Sequence, residues 1–165
     1  GYVLGNVGMA IHHKLCHTLG GSFNLPHAET HTIILPHAIA YNEKAAPDAM
    51  MRIKRALGAS EGTAAQALFQ LISELDGPTT LASLGLNEAD LDTATEIALS
   101  NPYWNPEPIE KNAIRTLLQN AFEGNPLTED NANANNDTTD TSSRFVVLFK
   151  FIKAIINFIV SLFNK

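Results

Sequence analysis

The apolar positions of this chain recur mostly at intervals of three and four residues, which is the period of an amphipathic α-helix. The clearest stripe lies in residues 61–75 and consists of Ala64, Ala67, Leu68, Leu71, Ile72 and Leu75. No stretch alternates with period two, and no hairpin signal is present. The pattern therefore predicts an all-α, multi-helix bundle.

Glycine, proline and capping residues divide the helical pattern into segments. We expect Gly20-Gly21 to stop the first helix, Pro36 to kink or break the second, and Ser60 to cap the fourth. A short helical turn is predicted over residues 79–86. The predicted helices are Tyr2–Leu19, His27–Tyr41, Pro47–Leu57, Glu61–Leu75, Glu88–Leu99 and Ile109–Phe122.

A proline-rich passage separates the last two of these helices. Residues 101–108 contain three prolines and cannot form a regular helix or a central strand. We expect an extended crossing that Tyr103 and Trp104 hold against the core.

The composition changes after residue 127, so we divide the chain into an all-α domain (1–127), a disordered linker (128–143) and an apolar amphipathic helix (144–165). The linker holds Asn, Asp, Thr, Ser and Ala and no large apolar side chain, so it cannot bury enough surface to offset its ordering entropy. The helix carries lysines on a narrow polar stripe, which is typical of an anchor on a membrane surface. The alternative is that residues 128–165 are a frameshift or fusion product.

The charge of the chain is unevenly distributed. Residues 144–165 carry four basic residues and no acid, so they contribute +4. The whole chain has a net charge of −6, so residues 1–143 contribute −10. An acidic body argues against nucleic acid as a partner. A single cysteine, Cys16, suits a reducing cytosol. The chain starts without Met, and we expect a fragment or a processed product.

All six histidines lie between residues 12 and 37. His13 and His17 are four residues apart, so on a helix they share a face. His27 follows Pro26 at the predicted start of the second helix, where the helix dipole disfavours imidazolium. Neutral imidazoles bind metals readily, so this end of the molecule is predicted to carry the chemistry.

The remaining histidines and the cysteine are predicted to be structural. His12 lies about 100° around the helix from His13. His31 and His37 are expected to pack on the second helix with their polar atoms satisfied. Cys16 on an apolar helix is expected to be a small core residue.

Two groups of residues carry a family resemblance. They are His13-Lys-Leu-Cys-His17 with Asn24-Leu-Pro-His-Ala-Glu29, and Leu81–Leu91 with the Asn101–Pro108 passage. The chain resembles, from about residue 1 to about residue 127, the maleylacetate reductases, a branch of the iron-containing alcohol dehydrogenase family. The spacing of the broader family, His-x3-His-x9-His, is kept by His13, His17 and His27.

The resemblance implies the C-terminal, all-α half of a two-domain enzyme whose active site faces an N-terminal nucleotide-binding domain missing from this chain. It implies that His13 and His27 match metal-ligand positions, for Fe²⁺ or Zn²⁺, and that His17 lies beside the nicotinamide of NADH or NADPH as the catalytic proton donor. If no metal is bound, His13 and His27 would hold substrate carboxylates. A cytoplasmic location and a homo-oligomer at full length are also implied.

The activity implied is the reduction of maleylacetate to 3-oxoadipate in aromatic-compound degradation. We expect no NAD(P)H-dependent turnover from the chain alone, because the nucleotide-binding half is missing. Two alternatives are a fragment of an iron- or zinc-dependent alcohol dehydrogenase, and a non-enzymatic helical module that binds a membrane or a partner through residues 144–165.

Overall fold

The computed structural model of the protein describes residue 6, residues 8–125 and residue 127. These residues form α-helices and two short 3-10 turns, with no strand among them, which confirms the predicted all-α class. The predictions for residues 128–143 and 144–165 lie outside the described residues. The helices are α1 (Ile11–Phe23), α2 (His27–Asn42), α3 (Pro47–Ala56), α4 (Ala64–Glu74), α5 (Leu91–Leu99) and α6 (Lys111–Glu123), and the 3-10 turns are Ala82–Leu84 and Glu88–Asp90.

Helix α1 differs from its prediction at both ends. It begins at Ile11 and continues through Gly20-Gly21 to Phe23, so the expected stop at the two glycines is wrong. The helix ends at Asn24, which adopts a left-handed conformation (φ 54°). Asparagine tolerates this conformation better than most residues, so it can end the helix where glycine was expected to.

Helix α2 is continuous through Pro36, so the proline does not break it. A proline inside a helix removes one backbone donor. Here the buried surroundings of the helix outweigh that loss, because Ile33, Ile34 and Pro36 itself are all buried. The helix starts at His27, as predicted.

Helix α4 is capped by Thr63, and the prediction of Ser60 as its cap is wrong. The Thr63 hydroxyl accepts from the Gln66 backbone N–H at 3.1 Å, and Gln66 Oε1 accepts from the Thr63 N–H at 2.9 Å. This reciprocal capping box satisfies two backbone donors at once. Gly62 precedes Thr63 and has a φ of +67°, a conformation that favours glycine. The helix therefore begins at Ala64, three residues later than predicted.

The passage over residues 101–108 is irregular, as predicted. Asn105 joins it to the helices: its Oδ1 accepts from the Ile11 N–H at 3.3 Å, and its Nδ2 donates to Asn42 Oδ1 at 2.7 Å. One side chain therefore positions the start of α1 and the end of α2. Tyr103 packs against the core, but Trp104 is 73% exposed, so the expectation that Trp104 anchors the passage is wrong.

The core lies between the helices, but the apolar stripe predicted in residues 61–75 does not enter it. Of its six members only Ala64 is buried, and Leu75 is 72% exposed. Helix α2 packs most extensively against α1, and α5 packs against α6. No helix within the described ranges has the length and apolar character needed to cross a bilayer. The largest fully buried aliphatic side chains are Ile11, Leu15, Leu19, Ile33, Ile34, Leu81, Leu91, Ile114 and Leu118.

Gly124 ends α6 in a conformation that an alanine should not tolerate. Its φ is +70°, and a Cβ built there would lie 2.5 Å from Thr80 Cγ2 and 3.2 Å from the Thr79 carbonyl oxygen. The left-handed conformation alone costs an L-residue roughly 1–2 kcal/mol. We expect Gly124→Ala to lower the free energy of unfolding by more than this, because the contact with Thr80 adds to the backbone cost.

Gly58→Ala is the matched control in a urea titration followed by circular dichroism. Gly58 has nearly the same φ, +68°, but no atom lies within 4 Å of its Cβ position. Gly58→Ala should therefore lower the free energy of unfolding only by the cost of the left-handed backbone conformation. Equal losses in the two variants would show that the packing at Thr80 adds nothing.

Candidate functional site

Three of the histidines, His12, His13 and His17, project from helix α1 on faces other than the one that enters the core. Ile11, Leu15 and Leu19 lie four residues apart and are fully buried, so they define the core face. His13 and His17 lie about half a turn around the helix from that face. His12 and Cys16 lie between the core face and the face that carries His13 and His17. The four-residue spacing therefore places two separate pairs of side chains along α1.

Helix α2 presents a third pair, His27 and His31, against this surface. The turn between the helices brings it there: Leu25 is buried, and its N–H donates to the Leu19 carbonyl. Pro26 precedes α2 and accepts from the Thr30 N–H and hydroxyl at 3.0 and 2.6 Å. These local bonds fix the first turn of α2 beside α1.

The structure brings the three predicted site histidines together. The ring centroids of His13 and His17 are 4.3 Å apart, and those of His17 and His27 are 6.5 Å apart. His31 completes a closed arrangement, with its ring 4.2 Å from His27 and 5.6 Å from His13. We call these four residues the imidazole cluster.

The cluster favours neutral imidazoles in its less exposed members. His17 and His27 are exposed, whereas His13 and His31 are half-buried. Desolvation lowers the pKa of His13, and the neighbouring imidazoles lower it further. The same two causes, desolvation first, lower the pKa of His31 to about 4. Repulsion between close imidazolium ions and burial of charge act in the same direction.

His31 was not selected from the sequence as a site residue. Its four-residue spacing from His27 repeats the spacing of His13 and His17, and that repeat is the signal that could have identified it. The expectation of satisfied packing is wrong for His31 and His37, because His31 Nε2 and both ring nitrogens of His37 are buried without a hydrogen-bond partner. Cys16 is buried, as predicted, and burial raises the pKa of its thiol to about 12.

His13 and His27 offer the kind of ligand atom that transition metals prefer, but two ligands are too few for a closed metal site. Imidazole nitrogens suit iron and zinc, and desolvation lowers the pKa of His13, which favours the neutral ring that binds metals. His13 and His27 are two ligands, and a closed site needs more. Further ligands would have to come from residues other than these two.

The comparisons with known proteins cover the helices that carry this cluster. The family profile described as "Fe-containing alcohol dehydrogenase family, C-terminal" matches residues 1–122. The chain is 57% identical over 126 residues to the maleylacetate reductase of Pseudomonas sp. strain P51, covering 76% of this chain and 35% of that protein.

Two solved structures share the fold. A candidate alcohol dehydrogenase from Ralstonia eutropha JMP134 superposes with a TM-score of 0.73 at 64% identity, over 75% of this chain and 35% of that one. The maleylacetate reductase of Rhizobium sp. strain MTP-10005 superposes with a TM-score of 0.69 at 54% identity, over 74% of this chain and 34% of that one.

The chain spans about a third of the length of the curated relatives that it matches. The residues that the profile matches, 1–122, contain helices α1 to α5 and all but the last residue of α6. The family profile and the fold lead to the same conclusion: the chain belongs to the iron-containing alcohol dehydrogenase family and represents its C-terminal domain.

Proposed function

We propose that the chain is the C-terminal part of a maleylacetate reductase, which reduces maleylacetate to 3-oxoadipate with NADH or NADPH. The observation that carries the proposal is the 57% identity to a maleylacetate reductase over 126 residues. The family profile over residues 1–122 includes the segment that carries His13, His17 and His27.

His17 is the proposed proton donor. It is exposed and lies between His13 and His27 in the ring-to-ring order of the cluster. When bound, NADH or NADPH would supply a hydride to the carbon–carbon double bond of the substrate, which would place negative charge on the conjugated keto oxygen. His17 would supply the proton to the carbon next to the keto group, and the product would be the saturated keto acid. A donor placed at the developing charge lowers the barrier.

His13 and His27 are proposed to bind either a metal ion or the carboxylates of the substrate. A bound Fe²⁺ or Zn²⁺ would act as a Lewis acid toward the keto oxygen. Without a metal, the same two side chains can donate hydrogen bonds to a dianionic substrate. In both cases they position the substrate beside His17.

The rest of the proposal concerns partners that this chain does not contain. The nucleotide would bind the N-terminal half of the full protein, which family members place across the active-site cleft from this domain. We propose a homo-oligomer at full length and a cytoplasmic location.

The second candidate is a metal-dependent alcohol dehydrogenase that reduces simple aldehydes. The similarity to the Ralstonia eutropha protein favours it, because that protein is named as an alcohol dehydrogenase and is 64% identical. The two candidates use the same three histidines and differ in substrate.

A chimeric enzyme separates the two candidates. In the maleylacetate reductase of Pseudomonas sp. strain P51, the segment that matches this chain is replaced by residues 1–127. We expect the chimera to oxidise NADH when maleylacetate is added and not when a simple aldehyde is added. The 165-residue chain alone should show no turnover, since it spans only about a third of the length of the relatives that it matches.

Circular dichroism and binding of NADH, followed by fluorescence, establish that the chimera is folded. A folded chimera that reduces aldehydes but not maleylacetate would favour the alcohol dehydrogenase. A folded chimera that binds NADH and reduces neither substrate would contradict both candidates.

A further inference from the structure

A second group of metal-ligating side chains lies beside the imidazole cluster. Among the described residues, one group of three or more His, Cys, Asp or Glu side chains brings its ligand atoms within 4.8 Å of one another, and it consists of His12, Cys16 and His31. His13 and His27 are not members. The family resemblance assigns no role to any of the three.

The helices themselves bring these three side chains together. His12 and Cys16 lie one turn apart on the same face of α1, beside the core face. His31 reaches them from α2, and its ring centroid is 4.9 Å from that of His12. The group therefore joins the two most extensively packed helices of the domain.

The hydrogen bonding of His12 suits metal coordination. Its Nε2 lies 3.2 Å from the His31 carbonyl oxygen, so Nε2 carries the proton and donates. The lone pair of the neutral ring is then on Nδ1. Metal-binding histidines commonly donate their second nitrogen to a carbonyl or a carboxylate, which holds the ring in place.

His31 supplies a nitrogen that no protein atom satisfies. Its Nε2 is buried and has no hydrogen-bond partner. A buried polar atom left in this state destabilises the folded protein. Coordination of a cation would remove that cost.

We propose that His12, Cys16 and His31 bind a zinc-type divalent cation, at a site distinct from the His13 and His27 positions. One thiolate and two imidazoles are a ligand set that such a cation prefers. For one sulfur and two nitrogens, tetrahedral zinc bond lengths place neighbouring ligand atoms about 3.3–3.6 Å apart. The three ligand atoms lie within 4.8 Å of one another, so they need to approach by at most about 1.5 Å.

Binding displaces a proton. The Cys16 thiol loses its proton to solvent as sulfur bonds to the cation, and no oxidation takes place. Because a proton is released on binding, affinity should rise with pH. Three protein ligands leave a fourth position for water, as in zinc sites with exchangeable ligands.

The site would act on the imidazole cluster through His31, which belongs to both groups. Its ring lies against His27 and His13. A cation bound to His31 would hold that ring and fix its position relative to the proposed active site. The site itself does not depend on the proposed function, because the chain alone carries all three ligands.

Cobalt binding to the reduced 165-residue chain tests the proposal. Co²⁺ bound by a thiolate produces a sulfur-to-metal charge-transfer band in the near ultraviolet, which imidazole ligands do not produce. We expect the band to saturate at one Co²⁺ per chain. Cys16→Ser should abolish it, and His12→Ala or His31→Ala should weaken binding at least about tenfold, since loss of even an outer partner weakens a metal site by that much.

The double variant His13→Ala/His27→Ala is the matched control and should keep the band. Absence of the band at saturating Co²⁺, loss of the band in the double variant, or unchanged binding in both His12→Ala and His31→Ala would overturn the proposal.

A measurement on the unaltered chain covers the case in which a variant loses helical content. X-ray absorption of the zinc-loaded chain should show one sulfur at about 2.3 Å with nitrogens at about 2.0 Å. A shell without sulfur would overturn the proposal, whatever the enzyme's activity.

Discussion

His17→Ala in the chimeric enzyme is expected to lower kcat for maleylacetate by roughly 10²–10⁴-fold, which is the usual contribution of a positioned general acid. His17 is the exposed imidazole 4.3 Å from His13 and 6.5 Å from His27. The loss should appear in kcat more than in KM, because the proton is transferred in the transition state and not on binding.

Steady-state kinetics between pH 6 and 9 provide the measurement, and Lys14→Gln is the matched control. Lys14 is on the same helix, but its ammonium lies 5.8 Å from the centre of the Tyr103 ring, and we assign it no part in the reaction. Near-normal turnover of His17→Ala across this range would exclude His17 as the proton donor.

The 165-residue chain is expected to lose about 3 kcal/mol of folding free energy through His37 alone as the pH falls from about 6.5 to about 4. Burial lowers the pKa of His37 to about 4 from its usual 6.5. The side chain is 2% exposed, and neither ring nitrogen has a partner. A tenfold change in an acid dissociation constant corresponds to about 1.4 kcal/mol.

The direction of this effect follows from the charge of the ring. Above pH 6.5 the ring is neutral in the folded and the unfolded chain, so folding has no protonation cost. As the pH falls toward 4 the unfolded chain gains a proton that the folded chain excludes, and stability declines. Below 4 the loss is complete.

Urea titrations at pH 7.5 and pH 4.5 measure this loss in His37→Leu and in Phe69→Leu. His37→Leu should reduce the difference between the two pH values, and at pH 7.5 it should be as stable as the unaltered chain or more so. Phe69 lies 6.3 Å from the His37 ring, centre to centre. Phe69→Leu keeps the histidine and should keep the full difference. An unchanged difference in His37→Leu would show that His37 does not titrate with folding.

Local pattern accounts for most of the fold. The three- and four-residue spacing of apolar side chains predicted the helices, because each needs one buried face. Gly58 and Gly124 follow the predicted helices Pro47–Leu57 and Ile109–Phe122 and have positive φ, a conformation that glycine adopts without strain. Where the ends were wrong, at Gly20-Gly21, several residues could have ended the helix, and packing around Leu25 decided in favour of Asn24.

The sequence by itself determined which residues share a helix face, including the pair His13 and His17, because helical geometry depends only on spacing. It could not determine how α1 and α2 meet. Tertiary packing decided that His31 closes the imidazole cluster, that His12, Cys16 and His31 converge, and that Trp104 faces outward. Contacts between separate helices depend on the turn at Leu25 and on the hydrogen bonds of Asn105, and no periodicity within one segment contains that information.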